Sequence, residues 1–199
     1  MKYSKEWLSE KEIKTIFRHP AINSRDILLM KVCYFGALRI GEALNSKKDD
    51  YRNENDKYYY LLIREQKTDK NNWEKQPIPS ILYGDIIRFC NDYDLHSEDY
   101  LFQSNRDKKL SYNMAYKTIK KSVKKAGIKK DITTHSFRRS RATHLFDLGW
   151  NIYRVSRLLR HKSIDTTRVY LKLAKRKLYN DLEKADRKAL YNDNEFEDN

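Results

Sequence analysis

An imidazole and a guanidinium stand three residues apart in the segment 134–141, which reads Thr-His-Ser-Phe-Arg-Arg-Ser-Arg. If Thr134 caps a helix, His135 and Arg138 share one face of its first turn, where free backbone N–H groups also bind anions. An arginine binds two phosphate oxygens in a fork, and a histidine moves protons near neutral pH. The segment therefore predicts a site for a phosphate group, although a capped surface helix with solvated charges would carry the same residues.

A second histidine stands nine residues before a tyrosine in the segment 158–170, which reads Leu-Leu-Arg-His-Lys-Ser-Ile-Asp-Thr-Thr-Arg-Val-Tyr. A single histidine or tyrosine is usually structural, and tyrosine occurs 15 times in this chain. His161 and Tyr170 therefore gain meaning only together with other residues in a fixed order.

The sequence contains neither a glycine-rich nucleotide-binding loop nor a metal-ligand cluster. None of the histidines pairs with a cysteine or has the spacing of an HExxH zinc site; they are His19, His96, His135, His144 and His161. Phosphate chemistry in this chain is therefore expected to run without ATP, without a cofactor and without a metal ion.

The chain is strongly basic, with 42 Lys and Arg against 28 Asp and Glu and a net charge of +14. Because residues 192–199 are acidic, the rest of the chain is more basic still. Such a charge favours a polyanion partner, since neutralised phosphates release counterions; ordinary solubilising charge is the alternative. A lysine stripe has the same two explanations, DNA contact or a solvated helix face, and comprises Lys117, Lys120, Lys121, Lys124, Lys125, Lys129 and Lys130.

The two cysteines, Cys33 and Cys90, have no metal-binding or redox spacing, and Cys33 lies in an apolar run typical of a core. No apolar segment approaches the roughly 20 residues of a membrane span, and no signal-type region follows the start. The expected compartment is a reducing cytoplasm, with no membrane partner.

Caps, apolar spacing and glycines predict a mainly α fold with a small antiparallel sheet. A capping box of Ser9 and Glu12 opens the first helix, and a buried helix capped by Asn23 or Ser24 is expected to carry Arg39. Residues 57–64 read as a strand, and residues 76–79 as an edge strand because they contain two prolines. Further helices are expected over residues 81–93, 112–126, 135–148, 152–159 and 175–190.

Four fragments, taken in order, resemble the signature of the tyrosine recombinases, the family of phage integrases and chromosome-dimer-resolving recombinases. They are Gly-Ala-Leu-Arg-Ile-Gly-Glu-Ala-Leu at 36–44, Gln-Lys-Thr-Asp at 66–69, His-x-x-Arg at 135–138, and the histidine-to-tyrosine segment 158–170. The resemblance covers nearly the whole chain. It implies the catalytic-domain fold of that family and DNA strand cleavage followed by rejoining.

The resemblance assigns three residues to the scissile phosphate. Arg39 and Arg138 would clamp it and stabilise its pentacoordinate transition state, and His161 would hydrogen-bond a phosphate oxygen. A structural ion pair between Arg39 and Glu42 is the alternative. His144 is expected to be structural.

The resemblance assigns three more residues to bond making and breaking. Tyr170 would attack and form a 3′-phosphotyrosine, which keeps the energy of the phosphoester so that rejoining needs no ATP. Lys67, near the hairpin tip, would protonate the leaving 5′ oxygen, although Lys70 or Lys75 could replace it. His135 would assist proton transfer. Further contacts to DNA are expected from Lys117, Lys121, Lys124, Arg139, Arg141 and Arg160.

Two departures from the family pattern stand out. Arg160 occupies a position where the family usually has glycine, which would permit an unusual backbone angle. The N-terminal DNA-clamping domain of the family is expected to be absent, which predicts weak DNA binding. Residues 1–174 would form the catalytic domain, residues 175–191 a C-terminal helix exchanged between protomers, and residues 192–199 a disordered acidic tail.

The sequence thus predicts a site-specific recombinase that acts on double-stranded DNA as a homo-oligomer, a tetramer, and is nucleoid-associated or encoded by a virus or mobile element. Two alternatives remain. A type IB topoisomerase uses the same chemistry, but a lysine tends to stand where His135 stands. A non-catalytic DNA-binding regulator derived from a recombinase should have lost at least one of the six positions.

Overall fold

The computed structural model describes residues 6–64, 73–104 and 109–171, together with residues 182, 183 and 186; of residues 64 and 169–171 it describes the backbone. Two compact units make up the chain, residues 1–142 and residues 143–199. The first contains α1 (Glu10–Phe17), α2 (Ser24–Phe35), α3 (Ile40–Asn45), β1 (Tyr51–Glu54), β2 (Tyr58–Arg64), β3 (Trp73–Pro77), α4 (Ser80–Asp92), α5 (Tyr112–Lys125) and the start of α6 (Thr134–Asp147). The second contains the end of α6, α7 (Ile152–Leu158) and α8 (Asp165–Leu171).

Local chemistry explains where most helices begin and end. Ser9 and Glu12 form the predicted capping box of α1. Asn23, Ser111 and Asn151 each accept a hydrogen bond from the backbone N–H three residues on. Asn23 therefore caps α2 as predicted, and Ser111 and Asn151 cap α5 and α7. Such caps contribute about 1 kcal/mol each. Helix α6 begins at Thr134, one residue earlier than predicted, and Thr133 donates its N–H to the Ser136 hydroxyl.

The buried helix predicted to carry Arg39 ends earlier than expected. Helix α2 stops at Phe35, and Arg39 is the N-cap of the separate helix α3. The chain turns at Ala37, whose φ of +50° is left-handed. The expectation that Arg39 lies within a helix is therefore wrong; it stands at a junction between two helices.

Three antiparallel strands pair in the order β1-β2-β3, with Leu61 opposite both Tyr51 and Gln76. The strand predicted over residues 57–64 is confirmed, and β3 is an edge strand, displaced toward the N-terminus of the predicted 76–79. Strand β1 has a polar sequence after Tyr51, which by itself does not favour a strand. Pairing with β2 makes it a strand, and only Tyr51 in it is buried.

The core of the first unit is apolar and continuous. Helices α2, α4 and α5 contribute fully buried side chains, among them Leu29, Met30, Leu82, Ile86 and Ile119. Cys33 and Cys90 are both free and buried there, as predicted for Cys33. Helices α4 and α5 follow the predicted segments closely.

Several predictions lie outside the described residues. Lys67 is one of them, as are the acidic tail 192–199 and the predicted helix 175–190, apart from residues 182, 183 and 186, which are helical. Within the described ranges, no helix is long and apolar enough to cross a membrane.

Candidate active site

Glu42 holds Arg39 at the junction between α2 and α3. The Arg39 backbone N–H donates to Glu42 Oε2 at 2.7 Å, and Arg39 Nη1 donates to Glu42 Oε1 at 2.7 Å. The Arg39 side chain remains 44% exposed. One carboxylate thus caps the helix and orients the guanidinium, so the predicted ion pair exists and is compatible with a second contact to an anion from solvent.

Arg138 is buried beside the same junction. Its residue exposure is 4%, and Nη1 donates to the Ala37 carbonyl. Gln76, from β3, donates Nε2 to the neighbouring Gly36 carbonyl at 2.9 Å. Two side chains from distant parts of the sequence therefore bind the backbone carbonyls where α2 ends. The carbonyl that Arg138 binds lies two residues before Arg39.

His135 lies within the electrostatic reach of both arginines, one helical turn before Arg138. Its ring is at the surface, yet partial removal from water lowers its pKa, and the charges of Arg138, Arg139 and Arg39 act in the same direction. Glu42 opposes them. The imidazole is therefore neutral at pH 7, as a group that accepts a proton must be.

The charges around His135 predict how its pKa changes when one of them is removed. Since Arg139 lowers the His135 pKa and Glu42 raises it, Arg139→Gln is expected to move the pKa up toward the ordinary 6.5, and Glu42→Gln to move it further down. An NMR titration of the His135 ring protons measures both shifts. Arg88→Gln, on the exposed side of α4, is the control. Equal shifts in all three variants, or shifts of the same sign for Arg139→Gln and Glu42→Gln, would contradict the assignment.

In the second unit, the chain reverses at Arg160 and places His161 directly after α7. Arg160 N–H donates to Arg157 O at 3.0 Å, and His161 N–H donates to Ser156 O at 3.1 Å. This pair of bonds is a Schellman motif, which needs a left-handed residue at its centre. Arg160 has that conformation, with φ of +48°, so the turn that the family forms with glycine is kept with arginine.

The left-handed arginine predicts a stabilising substitution. Such a φ costs a non-glycine residue about 1–2 kcal/mol, of which the greater freedom of glycine in the unfolded chain offsets part. Arg160→Gly should therefore raise the free energy of unfolding by about 0.5–1 kcal/mol in urea titrations. Arg157→Gly, inside α7, should lower it by about 1 kcal/mol. A destabilised Arg160→Gly variant would mean that the arginine side chain contributes more than its backbone strain costs.

The His161 ring has a partner that sequence reasoning missed. Its Nδ1 lies 2.7 Å from the hydroxyl of Thr167, a fully buried residue of α8. The Thr-Thr pair at 166–167 was visible in the sequence, but nothing there shows which of the two hydroxyls is buried. Tyr170 belongs to the same helix; its side chain, like all of Lys67, lies outside what the structure describes.

The residues predicted to contact DNA fall into two groups. Lys117, Lys121 and Lys124 are exposed on one face of α5. Their neighbours in the stripe bind protein groups instead: Lys120 pairs with Asp131, Lys125 with the Ala21 carbonyl, and Lys130 with Glu12.

The three predicted arginines are less exposed. Arg139 and Arg160 are partly buried. The Arg141 guanidinium lies over the rings of Tyr34 and Phe35, at 5.5 and 5.7 Å from their centroids. That packing gives Arg141 a structural role, and its predicted contact with DNA stays a prediction.

Comparison with known proteins identifies the family. The phage integrase family model matches residues 6–177, so the chain belongs to the phage integrase family. Tyrosine recombinase XerA of Pyrococcus horikoshii is 34% identical over 181 residues, which cover 89% of this chain and 60% of the relative. Transposase A from transposon Tn554 of Staphylococcus aureus is 28% identical over 89% of this chain and 51% of its own length. The chain thus spans about half to three fifths of the curated relatives named here.

Solved structures of the family share the fold. A crystal structure of XerA recombinase matches with a TM-score of 0.75 at 24% identity, over 90% of this chain and 64% of that one. A structure of XerH site-specific recombinase, described as a post-cleavage complex with a palindromic difH substrate, matches with a TM-score of 0.72 at 23% identity, over 91% and 52%. The predicted recombinase catalytic-domain fold is confirmed.

Proposed function

We propose that this chain is a tyrosine recombinase that cuts and rejoins DNA strands. The observation that carries the proposal is the cluster of Arg39, His135 and Arg138 around the break between α2 and α3. Two guanidinium groups and a neutral imidazole there are suited to a phosphodiester, whose transition state carries an extra negative charge. Membership of the phage integrase family supports the same conclusion.

The proposed reaction conserves the phosphoester. The Tyr170 oxygen attacks the scissile phosphorus and loses its proton, with His135 assisting the transfer. The bond from phosphorus to the 5′ oxygen breaks, and Lys67 protonates that oxygen. The product is a 3′-phosphotyrosine and a free 5′ hydroxyl, and attack by a 5′ hydroxyl reverses the steps without ATP or a metal ion. Arg39, Arg138 and His161 stabilise the phosphate oxygens throughout.

A nicked suicide substrate tests the proposal. Its cut releases a short fragment that diffuses away, so the covalent complex accumulates. We expect a protein–DNA adduct that survives denaturation and contains the 3′ end, formed on the recombination site of the element that carries the gene. Absence of an adduct on every candidate site at low salt would favour a non-catalytic regulator. Relaxation of plasmids without any recognition site would favour a topoisomerase.

We propose that the exposed face of α5 formed by Lys117, Lys121 and Lys124 contacts the DNA backbone. Among the contacts of the described residues, Lys120 of this helix pairs with Asp131 and Lys125 donates to the Ala21 carbonyl, whereas Lys117, Lys121 and Lys124 form neither an ion pair nor a hydrogen bond with the protein. Each phosphate contact contributes about 0.9 to the slope of log affinity against log salt. Replacing all three with glutamine should therefore reduce that slope by about 2.7 in binding titrations.

A matched control distinguishes a contact made by this face of α5 from a general effect of lower net charge. Lys11 and Lys14 are exposed on α1, as is its C-cap Arg18, and replacing the three with glutamine removes the same charge. The slope should then change by less than about 1, the contribution of a single contact. Equal changes for the two triple variants would mean that α5 is no more a DNA interface than α1.

We propose further that the protein acts in the cytoplasm, on double-stranded DNA, as a tetramer. The XerH complexes with difH and the lambda integrase dimer on a core site support the DNA partner. The C-terminal segment 175–191 would dock on a neighbouring protomer. Deleting residues 175–199 should then abolish cooperative assembly on DNA; unchanged assembly would contradict the docking.

A further inference from the structure

A buried hydroxyl connects the His161 ring to helix α8. Thr167 Oγ1 lies 2.7 Å from His161 Nδ1, and Thr167 is completely buried, whereas its neighbour Thr166 is exposed. Among the described residues, this ring nitrogen is the hydrogen-bonding partner of the Thr167 hydroxyl. A side chain without solvent contact and with a single polar contact is held in one orientation.

The direction of the hydrogen bond follows from burial. If the ring donated from Nδ1, the hydroxyl hydrogen of Thr167 would have no acceptor among the described residues, and buried donors without an acceptor are rare. If the hydroxyl donates, its hydrogen is satisfied and only oxygen lone pairs remain unused. The donating arrangement is the stable one, and it leaves the ring proton on Nε2.

We propose that Thr167 is a positioning residue for His161 in the strand-cleavage reaction. The inference rests on the proposed function. The Thr167 hydroxyl keeps His161 in the Nε2-protonated tautomer, so that the neutral ring donates a hydrogen bond to a phosphate oxygen. Loss of this hydrogen bond would remove a contact that favours the Nε2-protonated tautomer. The other tautomer would present a lone pair to the phosphate.

The same hydroxyl links two parts of the proposed machinery. The Schellman motif after α7 fixes the backbone of His161, and the Thr167 N–H donates to Ile164 O at 2.8 Å in the first turn of α8. Tyr170 follows three residues later in that helix. The contact therefore sets the position of His161 relative to the helix that carries the nucleophile.

The tautomer is measurable without any DNA. Histidine labelled with ¹⁵N, observed by long-range ¹H–¹⁵N correlation well above the ordinary imidazole pKa of about 6.5, distinguishes the protonated nitrogen from the bare one. We expect His161, assigned by comparison with His161→Gln, to carry its proton on Nε2. In Thr167→Val the fraction of His161 protonated on Nδ1 should rise. A proton on Nδ1 in the native chain, or an unchanged signal in Thr167→Val, would overturn the inference.

Single-turnover cleavage of the suicide substrate gives the functional test. Thr167→Val, which keeps the shape and removes the hydroxyl, should slow adduct formation about tenfold, which is the lower end of the effect that loss of an orienting partner has at metal-binding histidines. Thr167→Ser should restore most of the rate, and the exposed control Thr166→Val should match the native chain. A Thr167→Ser variant as slow as Thr167→Val would indicate a packing role and overturn the inference. Failure of the native chain to form any adduct would instead refute the proposed function, and the tautomer measurement would still decide whether Thr167 orients the ring.

Discussion

Tyr170→Phe is expected to abolish covalent attachment to DNA while the chain continues to bind it. Phenylalanine keeps the ring and removes only the attacking oxygen. Loss of a covalent nucleophile lowers the rate of the chemical step by a factor on the order of 10⁴ or more. The measurement is the denaturation-resistant adduct on a nicked suicide substrate, with gel-shift binding on the same DNA.

A second tyrosine makes the test specific. Tyr153, in α7, is 64% exposed and has no assigned role. Tyr153→Phe should form the adduct at the native rate. Peptide mapping of the native adduct should identify Tyr170, and an adduct that persists in Tyr170→Phe would show that another of the tyrosines carries the phosphate.

The sequence predicts most of the helices because their signals are local. Ser9, Asn23, Ser111 and Asn151 each cap a helix by bonding to a backbone group three residues away. Such a signal needs no knowledge of the rest of the chain. The same holds for Gly149, whose φ of +89° lies just beyond the end of α6.

The break between α2 and α3 could not be predicted in the same way. The apolar residues up to Leu38 have helical spacing, and Ala37 favours a helix by its own propensity. The turn is stabilised by Gln76 and Arg138, which bind the Gly36 and Ala37 carbonyls from 40 and 101 residues away. The sequence pattern of one segment does not indicate which distant residues will bind its backbone.

In the candidate site, too, some features were predictable from the sequence and others depend on the three-dimensional structure. Its residue types were predicted by family resemblance, and the structure brings Arg39, His135 and Arg138 together. The residues that orient them were not predicted. Glu42 was noted only as a structural partner of Arg39, and Thr167 was one of two adjacent threonines. Orientation depends on burial, which sequence spacing does not determine.

Arg138→Lys should slow DNA cleavage by about 10²–10³-fold although it preserves the charge. Arg138 is buried and already donates to the Ala37 carbonyl. A planar guanidinium carries five N–H donors in a fixed fork, whereas a lysine presents one compact ammonium that cannot bind two acceptors in that geometry. Removal of one transition-state hydrogen-bond donor in other enzymes has effects of this size.

Two measurements and a control variant separate catalysis from folding in the Arg138→Lys variant. Single-turnover rates at saturating protein remove differences in DNA binding, and thermal unfolding reports how much the bond to Ala37 stabilises the junction; a loss of about 1 kcal/mol is expected for one hydrogen bond. Arg139→Lys, at the adjacent and partly buried position, should cleave within about threefold of the native rate. A folded, DNA-bound Arg138→Lys variant that cleaves as fast as Arg139→Lys would mean that charge alone is sufficient at position 138. A folded variant that is slow at saturating protein would mean that the fork acts on the transition state, because neither unfolding nor weaker DNA binding would then explain the lower rate.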